Sequence, residues 1–203
     1  MDNSKERIQE LIRDLSHKNE DVRWGAAYAL ARIGEPAVDL LISALEDRDS
    51  VVRLRAAWAL GRIGDPKAVD RLILILRDGD WSVRMRAAEA LGKIGAHKHK
   101  AVEALLPVLR DENADVRRHV IAALGQIADP SSADRIGAVL KDPDWRVRMG
   151  AALTLTAIGD PRSLGYLTSV TCDENEFVRK IAETATATSG KAGCIPEHKN
   201  RAG

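Results

Sequence analysis

Residues 52–78 read VRLRAAWALGRIGDPKAVDRLILILRD. The Val-Arg pair that opens this stretch recurs at Val22-Arg23, Val52-Arg53, Val83-Arg84, Val116-Arg117, Val147-Arg148 and Val178-Arg179, at intervals of 30, 31, 33, 31 and 31 residues. Ten residues after each of the first five arginines stands Ile33, Ile63, Ile94, Ile127 or Ile158, followed by Gly except at Ala128. Three residues before each Val stands Asn19, Asp49, Asp80, Asn113, Asp144 or Asn175, a residue type that accepts hydrogen bonds from the orphan amides of a helix start. Each period therefore holds a capped helix of about four turns that stops at glycine, called helix B here. Between that glycine and the next cap runs a second amphipathic stretch, helix A. Asp-Pro or Glu-Pro often opens it, where the fixed φ of proline suits a first turn.

One such pair cannot bury its apolar face, but stacked neighbours can. The period predicts six antiparallel helix pairs at about residues 5–34, 35–64, 65–95, 96–128, 129–159 and 160–189, forming an all-α solenoid as a single repeat domain over 1–189. In the sixth pair Thr184, Thr186 and Thr188 replace apolar or small residues, as expected of a terminal repeat facing water. The tail 190–203 has no period and reads as mobile.

The quoted stretch resembles the short HEAT-like repeat first associated with phycobilisome lyases, and the likeness covers nearly the whole chain. The resemblance implies a right-handed α-solenoid whose B helices line the concave side. It does not imply one activity, because the family includes scaffolds, bilin lyases, a di-iron hydroxylase and relatives of DNA glycosylases. The hydroxylases carry His-Glu pairs on their helices, and this chain contains no His-Glu dipeptide.

The 203 residues carry 31 Lys and Arg against 30 Asp and Glu, a net charge of +1, with 45% apolar residues. That balance excludes intrinsic disorder and removes any global electrostatic case for nucleic acid or an anionic membrane. The start, MDNSKERIQE, has no apolar segment of the kind that directs export, and no run approaches the roughly 20 apolar residues of a membrane span. Cys172 and Cys194, without a second pair, suggest neither a disulfide framework nor a zinc site. A cytoplasmic protein is the expectation.

Helical geometry identifies the positions that stacking does not need. Relative to the recurrent arginine, the preceding Val and residues 3, 7 and 10 after it share the core face. Positions 1, 5 and 9 fall opposite and should be small, polar or charged. In the first three repeats that stripe instead reads Trp24, Tyr28, Arg32, then Leu54, Trp58, Arg62, then Met85, Glu89, Lys93. Position 2 adds Arg55 and Arg86, and Arg118 and His119 continue the row in the fourth repeat. Rings beside arginines are the composition of a binding hot spot. The alternative is that the rings lie flat over neighbouring helices while arginine stems cover apolar surface.

The recurrent arginines, Arg23, Arg53, Arg84, Arg117, Arg148 and Arg179, read as a structural ladder pairing with loop carboxylates such as Asp47, Asp78, Asp111, Asp142 and Asp173. Trp81 and Trp145 follow a capping Asp and read as covers for the inter-repeat turn. His97, Lys98 and His99 fall in a loop lengthened by two residues and lack a third metal ligand. Pro107 should kink helix A of the fourth pair.

No catalytic triad, phosphate loop or metal set is readable, so neither a catalytic residue nor a cofactor is assigned. The favoured function is a non-catalytic scaffold that binds a protein or peptide with apolar anchors and acidic flanks. Trp24, Tyr28, Leu54, Trp58 and Met85 would give contact area, Arg32, Arg55, Arg62, Arg86 and Lys93 would meet carboxylates, and Glu89 would set register by repulsion. The alternative is a bilin lyase or bilin-binding protein, since a tetrapyrrole with propionates suits the same groove. Nucleic acid is the least favoured ligand, given the near-zero net charge.

Overall fold

The structure, a computed structural model, describes residues 3–187. Its regular elements there are all helical. They are α1 (Asn3–Asp14), α2 (Glu20–Ile33), α3 (Val38–Ala44), α4 (Ser50–Ile63), α5 (Val69–Ile75), α6 (Trp81–Ile94), α7 (Lys98–Leu105), α8 (Ala114–Ile127), α9 (Ala133–Val139), α10 (Trp145–Ile158), α11 (Ser163–Thr168) and α12 (Glu176–Ala187). Even-numbered helices are the B helices and odd-numbered ones the A helices. Short 3-10 turns, each with a proline in its first two positions, lead into α3, α5 and α9. None of these helices is long and apolar enough to cross a membrane.

The chain forms two compact units, Met1–Ile127 and Ala128–Gly203. In the first, α2, α4, α6 and α8 lie side by side, each packed against its own A helix. In the second, α10 and α12 pack together and against α9 and α11. Val52, Ala56 and Leu60 of α4 are buried, as are Val83, Ala87 and Leu91 of α6 and Leu41, Leu72 and Leu105 of the A helices. Each fully buried leucine contributes about 2 kcal/mol of transfer free energy.

Small residues set the helix spacing. A Cβ added at Gly61 would stand 2.8 Å from the Ala90 Cα, and one at Gly92 would stand 2.7 Å from the Ala123 Cα. Only glycine admits so close a B-to-B approach.

Each B helix begins with the capping geometry that its Asn or Asp dictates. The Asn19 and Asp49 side chains, for instance, accept from the amides of Asp21 at 2.8 Å and Val51 at 2.9 Å. Gly64, Gly95 and Gly159 end α4, α6 and α10 in the left-handed region. Ala128, the one non-glycine at this register, is forced to φ 53° after α8. A side chain there costs about 1 kcal/mol, so Ala128→Gly should raise the unfolding free energy by about that amount in urea denaturation.

The recurrent arginines form a regular ladder. Each sends Nη1 back to two carbonyls of the loop before its own helix. Arg53 reaches the carbonyls of Asp47 and Arg48, Arg84 those of Asp78 and Gly79, and Arg179 those of Asp173 and Glu174. Arg53, Arg84 and Arg148 also grip the loop carboxylate of the following repeat with two bonds. Arg53 to Asp78 measures 2.6 and 2.7 Å, Arg84 to Asp111 2.7 and 2.9 Å, and Arg148 to Asp173 2.8 and 2.9 Å. Each of these carboxylates also accepts from the amide of the capping residue two positions on. Burial alone would raise their pKa values, but the arginine and amide hydrogen bonds outweigh it and hold all three below the usual range. The first rung is incomplete: Arg23 reaches the carbonyls of His17 and Lys18, and its buried Nε has no partner.

Several local expectations are corrected. The two extra residues before α7 do not make a longer loop. His97 takes a left-handed φ of 50°, and His99 and Lys100 lie inside α7, 3.3 Å from Glu103 and 2.7 Å from Asp70 respectively. Pro107, lacking an N–H, does not kink the helix but ends it, and the chain continues as a 3-10 helix over Leu106–Arg110. Thr186 is buried rather than facing water, its hydroxyl donating to the Ala182 carbonyl at 2.9 Å. Cys172, whose spacing suggested no disulfide framework, is disulfide-bonded. Thr188, Cys194 and the tail 190–203 lie outside the described residues.

Candidate functional site

The stripe at positions 1, 5 and 9 of the first three B helices is a continuous surface. The Trp24 ring stands edge-on to Trp58 with centroids 5.4 Å apart, and Tyr28 stands edge-on to Trp58 at 4.6 Å. Trp24 and Tyr28, one helical turn apart on α2, lie 6.3 Å apart and tilted. Three rings from two helices thus form one cluster, with contact geometries that favour aromatic pairs. Trp24 and Trp58 are half-buried by each other, whereas Tyr28 remains 54% exposed.

Cations close both ends of the cluster. The Arg55 guanidinium lies 4.9 Å from the Trp24 ring centre and that of Arg62 lies 5.8 Å from Trp58. The two differ in kind. Arg62 is exposed, as is Arg32. Arg55 is only 4% exposed, so it is not the surface handle that its place in the helical register suggests. Its Nη1 donates to the Val51 carbonyl at 3.2 Å, its Nε has no partner, and the nearest carboxylate, Glu20, is 3.8 Å away. Burial first, and then the Arg23 charge, push this guanidinium below its ordinary pKa. It serves as the underside of the aromatic floor.

In the third repeat the picture changes. Glu89 occupies the register of Tyr28 and Trp58, and its carboxylate accepts from Arg86 at 2.6 Å and from Lys93 at 2.5 Å. Burial would raise its pKa, but these two cations hold it below the usual value. Arg86 and Lys93 therefore share one carboxylate within the chain, which leaves the trio with one net positive charge, and Glu89 acts as their partner rather than as a free repelling charge. The crevice bounded by Trp58, Gly61, Arg86, Glu89 and Lys93 encloses no water-sized space. Leu54 and Met85 are half-buried. Arg118 is exposed and 3.4 Å from Asp115, and His119 Nδ1 lies 2.8 Å from the Asp115 carbonyl. Neither carries a ring or an aliphatic neighbour of the stripe forward, because Ala122 and Gln126 follow.

In the second unit Trp145 stacks on Phe177, with centroids 5.8 Å apart and planes 24° apart, both rings being exposed. Sequence reading passed over Phe177. The signal available was its place one residue before the recurrent Val, at the start of α12.

A family profile for HEAT repeats matches residues 38–106 and 102–187. The chain belongs to the HEAT-repeat family. A second profile, for the PBS lyase HEAT-like repeat, matches residues 22–47 of this HEAT-repeat chain. No protein of curated function matches it by sequence. Among solved structures, YibA of Escherichia coli is 26% identical over 89% of this chain and 70% of its own, with a TM-score of 0.74. The complex of CpcE and CpcF of phycocyanin lyase from Nostoc sp. PCC7120 is 28% identical over 88% of this chain and 75% of that one, with a TM-score of 0.64. A designed armadillo repeat protein in complex with the peptide (KR)4 covers 89% of the HEAT-repeat chain at 18% identity and a TM-score of 0.62, a likeness of fold alone.

Proposed function

We propose that the B-helix face of repeats one to three docks a protein or peptide segment with apolar anchors flanked by carboxylates. The observation that carries this reading is the Trp24, Tyr28 and Trp58 cluster, which leaves Tyr28 open to solvent, with the exposed cations Arg32 and Arg62 one helical turn beyond Tyr28 and Trp58. Aromatic rings held rigid by their neighbours give contact area at little entropic cost. In the third repeat Glu89 offsets one of its two cations, so the attraction for acidic groups is weaker there than beside the unpaired Arg32 and Arg62 of the first two. The likeness to a lyase complex of two proteins, CpcE with CpcF, supports a role exercised together with another chain.

The test compares the intact protein with Trp58→Ala. A partner isolated on the intact protein should bind the variant about 30-fold or more weakly, corresponding to about 2 kcal/mol, with the helical circular dichroism unchanged. Equal affinity would remove the patch from the account.

The same 28% likeness favours a second reading, a bilin-handling protein. Mixing with an open-chain tetrapyrrole and finding an absorbance shift that Trp58→Ala abolishes would favour it over the first. The closed crevice beside Trp58 counts against a deep ring pocket there.

A further inference from the structure

The A helices of the first unit carry a second surface, independent of the aromatic face. At the solvent-facing register of the A elements stand Ser43 in the second repeat, Leu74 in the third and Pro107 in the fourth. Leu74 is 60% exposed, an aliphatic side chain where its counterpart in the preceding repeat is a hydroxyl. Between α5 and the following A element, which continues past α7 as a 3-10 helix, lies an open groove of about 410 Å³. Ile73, Leu74, Leu76, Ala104, Pro107 and Val108 line it.

Three residues after Leu74 comes Arg77, and three after Pro107 comes Arg110, both on the same groove. That spacing places each arginine on the face of its apolar neighbour, one turn on. The result is a two-by-two array of apolar residues above arginines. Two acidic residues also border the groove: Asp111, which is held by Arg84, and Glu103, an exposed carboxylate 3.3 Å from the His99 imidazole; Asp70, farther along α5, is held by Lys100. The Arg77 and Arg110 side chains are exposed and have no ion pair or hydrogen bond among the described residues. The counterpart of Arg77 in the second repeat, Glu46, is paired with Arg71.

We propose that this groove docks an acidic amphipathic helix of a partner protein. A helix presenting leucine and glutamate three or four residues apart matches the array, with aliphatic side chains seated between Leu74 and Pro107 and carboxylates reaching Arg77 and Arg110. An open trough with cations along one edge suits a helix, which offers both groups on one face.

The test uses the full chain and a fluorescein-labelled peptide of leucines and glutamates at helical spacing, with a lysine-for-glutamate counterpart, followed by fluorescence anisotropy. The glutamate peptide should bind saturably and the lysine peptide should not. Leu74→Ser, which copies the residue type that the second repeat carries at this register, and the double variant Arg77→Glu, Arg110→Glu should each weaken binding about tenfold or more. Trp58→Ala should leave it unchanged. Circular dichroism confirms that each variant is folded. Absence of saturable binding, equal binding of the lysine peptide, or full affinity in Leu74→Ser would overturn the proposal. Loss in Trp58→Ala with Leu74→Ser unaffected would do the same, by moving the peptide to the B-helix face.

Discussion

Replacing Arg84 by Met should lower the unfolding free energy by about 3 kcal/mol, several times the effect of any exposed ion pair in the molecule. The Arg84 and Asp111 side chains are 9% and 8% exposed, and the guanidinium also holds the carbonyls of Asp78 and Gly79. The substitution therefore leaves a buried carboxylate without its cation and two loop carbonyls without a donor. Arg71→Ala is the control, because Arg71 and Glu46 are 42% and 59% exposed and such a pair is worth about 0–1 kcal/mol. The pH dependence distinguishes lost charge pairing from lost packing. Asp111 has a folded pKa below its unfolded value near 3.8, so the stability it contributes is fully present above that value. That contribution is lost as pH falls through the lower, folded pKa. Urea denaturation at several pH values should show the full difference between Arg84→Met and the parent at neutral pH. The difference should narrow below about pH 4.

Alanine at Gly92 should destabilise the protein by about 2 kcal/mol, whereas alanine at Gly25 should stabilise it by about 0.5–1 kcal/mol. Both glycines lie inside B helices, where alanine is intrinsically the better helix former. At Gly92 the new Cβ meets the Ala123 Cα at 2.7 Å and the Ala123 Cβ at 2.9 Å, so α6 and α8 must move apart. The Gln126 Oε1, also at 2.7 Å, can swing away, but the α8 backbone cannot do so without breaking the stack. At Gly25 nothing lies within 4 Å. Thermal or urea denaturation of the two variants should therefore give opposite signs. Equal signs would show that the close approach of the B helices does not limit the packing.

The fold was legible because its determinants repeat. Asn19, Asp49 and their counterparts mark helix starts by local hydrogen bonding, and Gly34, Gly64, Gly95 and Gly159 mark ends by a backbone conformation that other residues resist. Both signals act within a few residues, and six copies put their register beyond accident. The outward stripe of Trp24, Tyr28 and Trp58 was legible for the same reason, since helical spacing alone brings those positions to one face. Arg55 was not. Its register places it at the edge of that face, and the ring of Trp24, supplied by another helix, lies over it. The Glu89 contacts with Arg86 and Lys93 follow from spacings of three and four residues and were open to a closer local reading. The groove beside Leu74 depends on how two A elements from different repeats pack against each other, which no single-helix pattern contains.

The arginine ladder has a direction. The complete rungs run forward, from the arginine of one repeat to the loop carboxylate of the next, as in Arg53 to Asp78, Arg84 to Asp111 and Arg148 to Asp173. A cut anywhere between two rungs strands a cation on one side and a carboxylate on the other. Removing or duplicating one whole period among the complete rungs, by contrast, rejoins each of their arginines to an aspartate of the same kind. Growth and shrinkage of this chain by complete periods are thus neutral for its buried charges, while any partial period is penalised. The ladder acts as a ruler that keeps the protein's length in multiples of its own repeat.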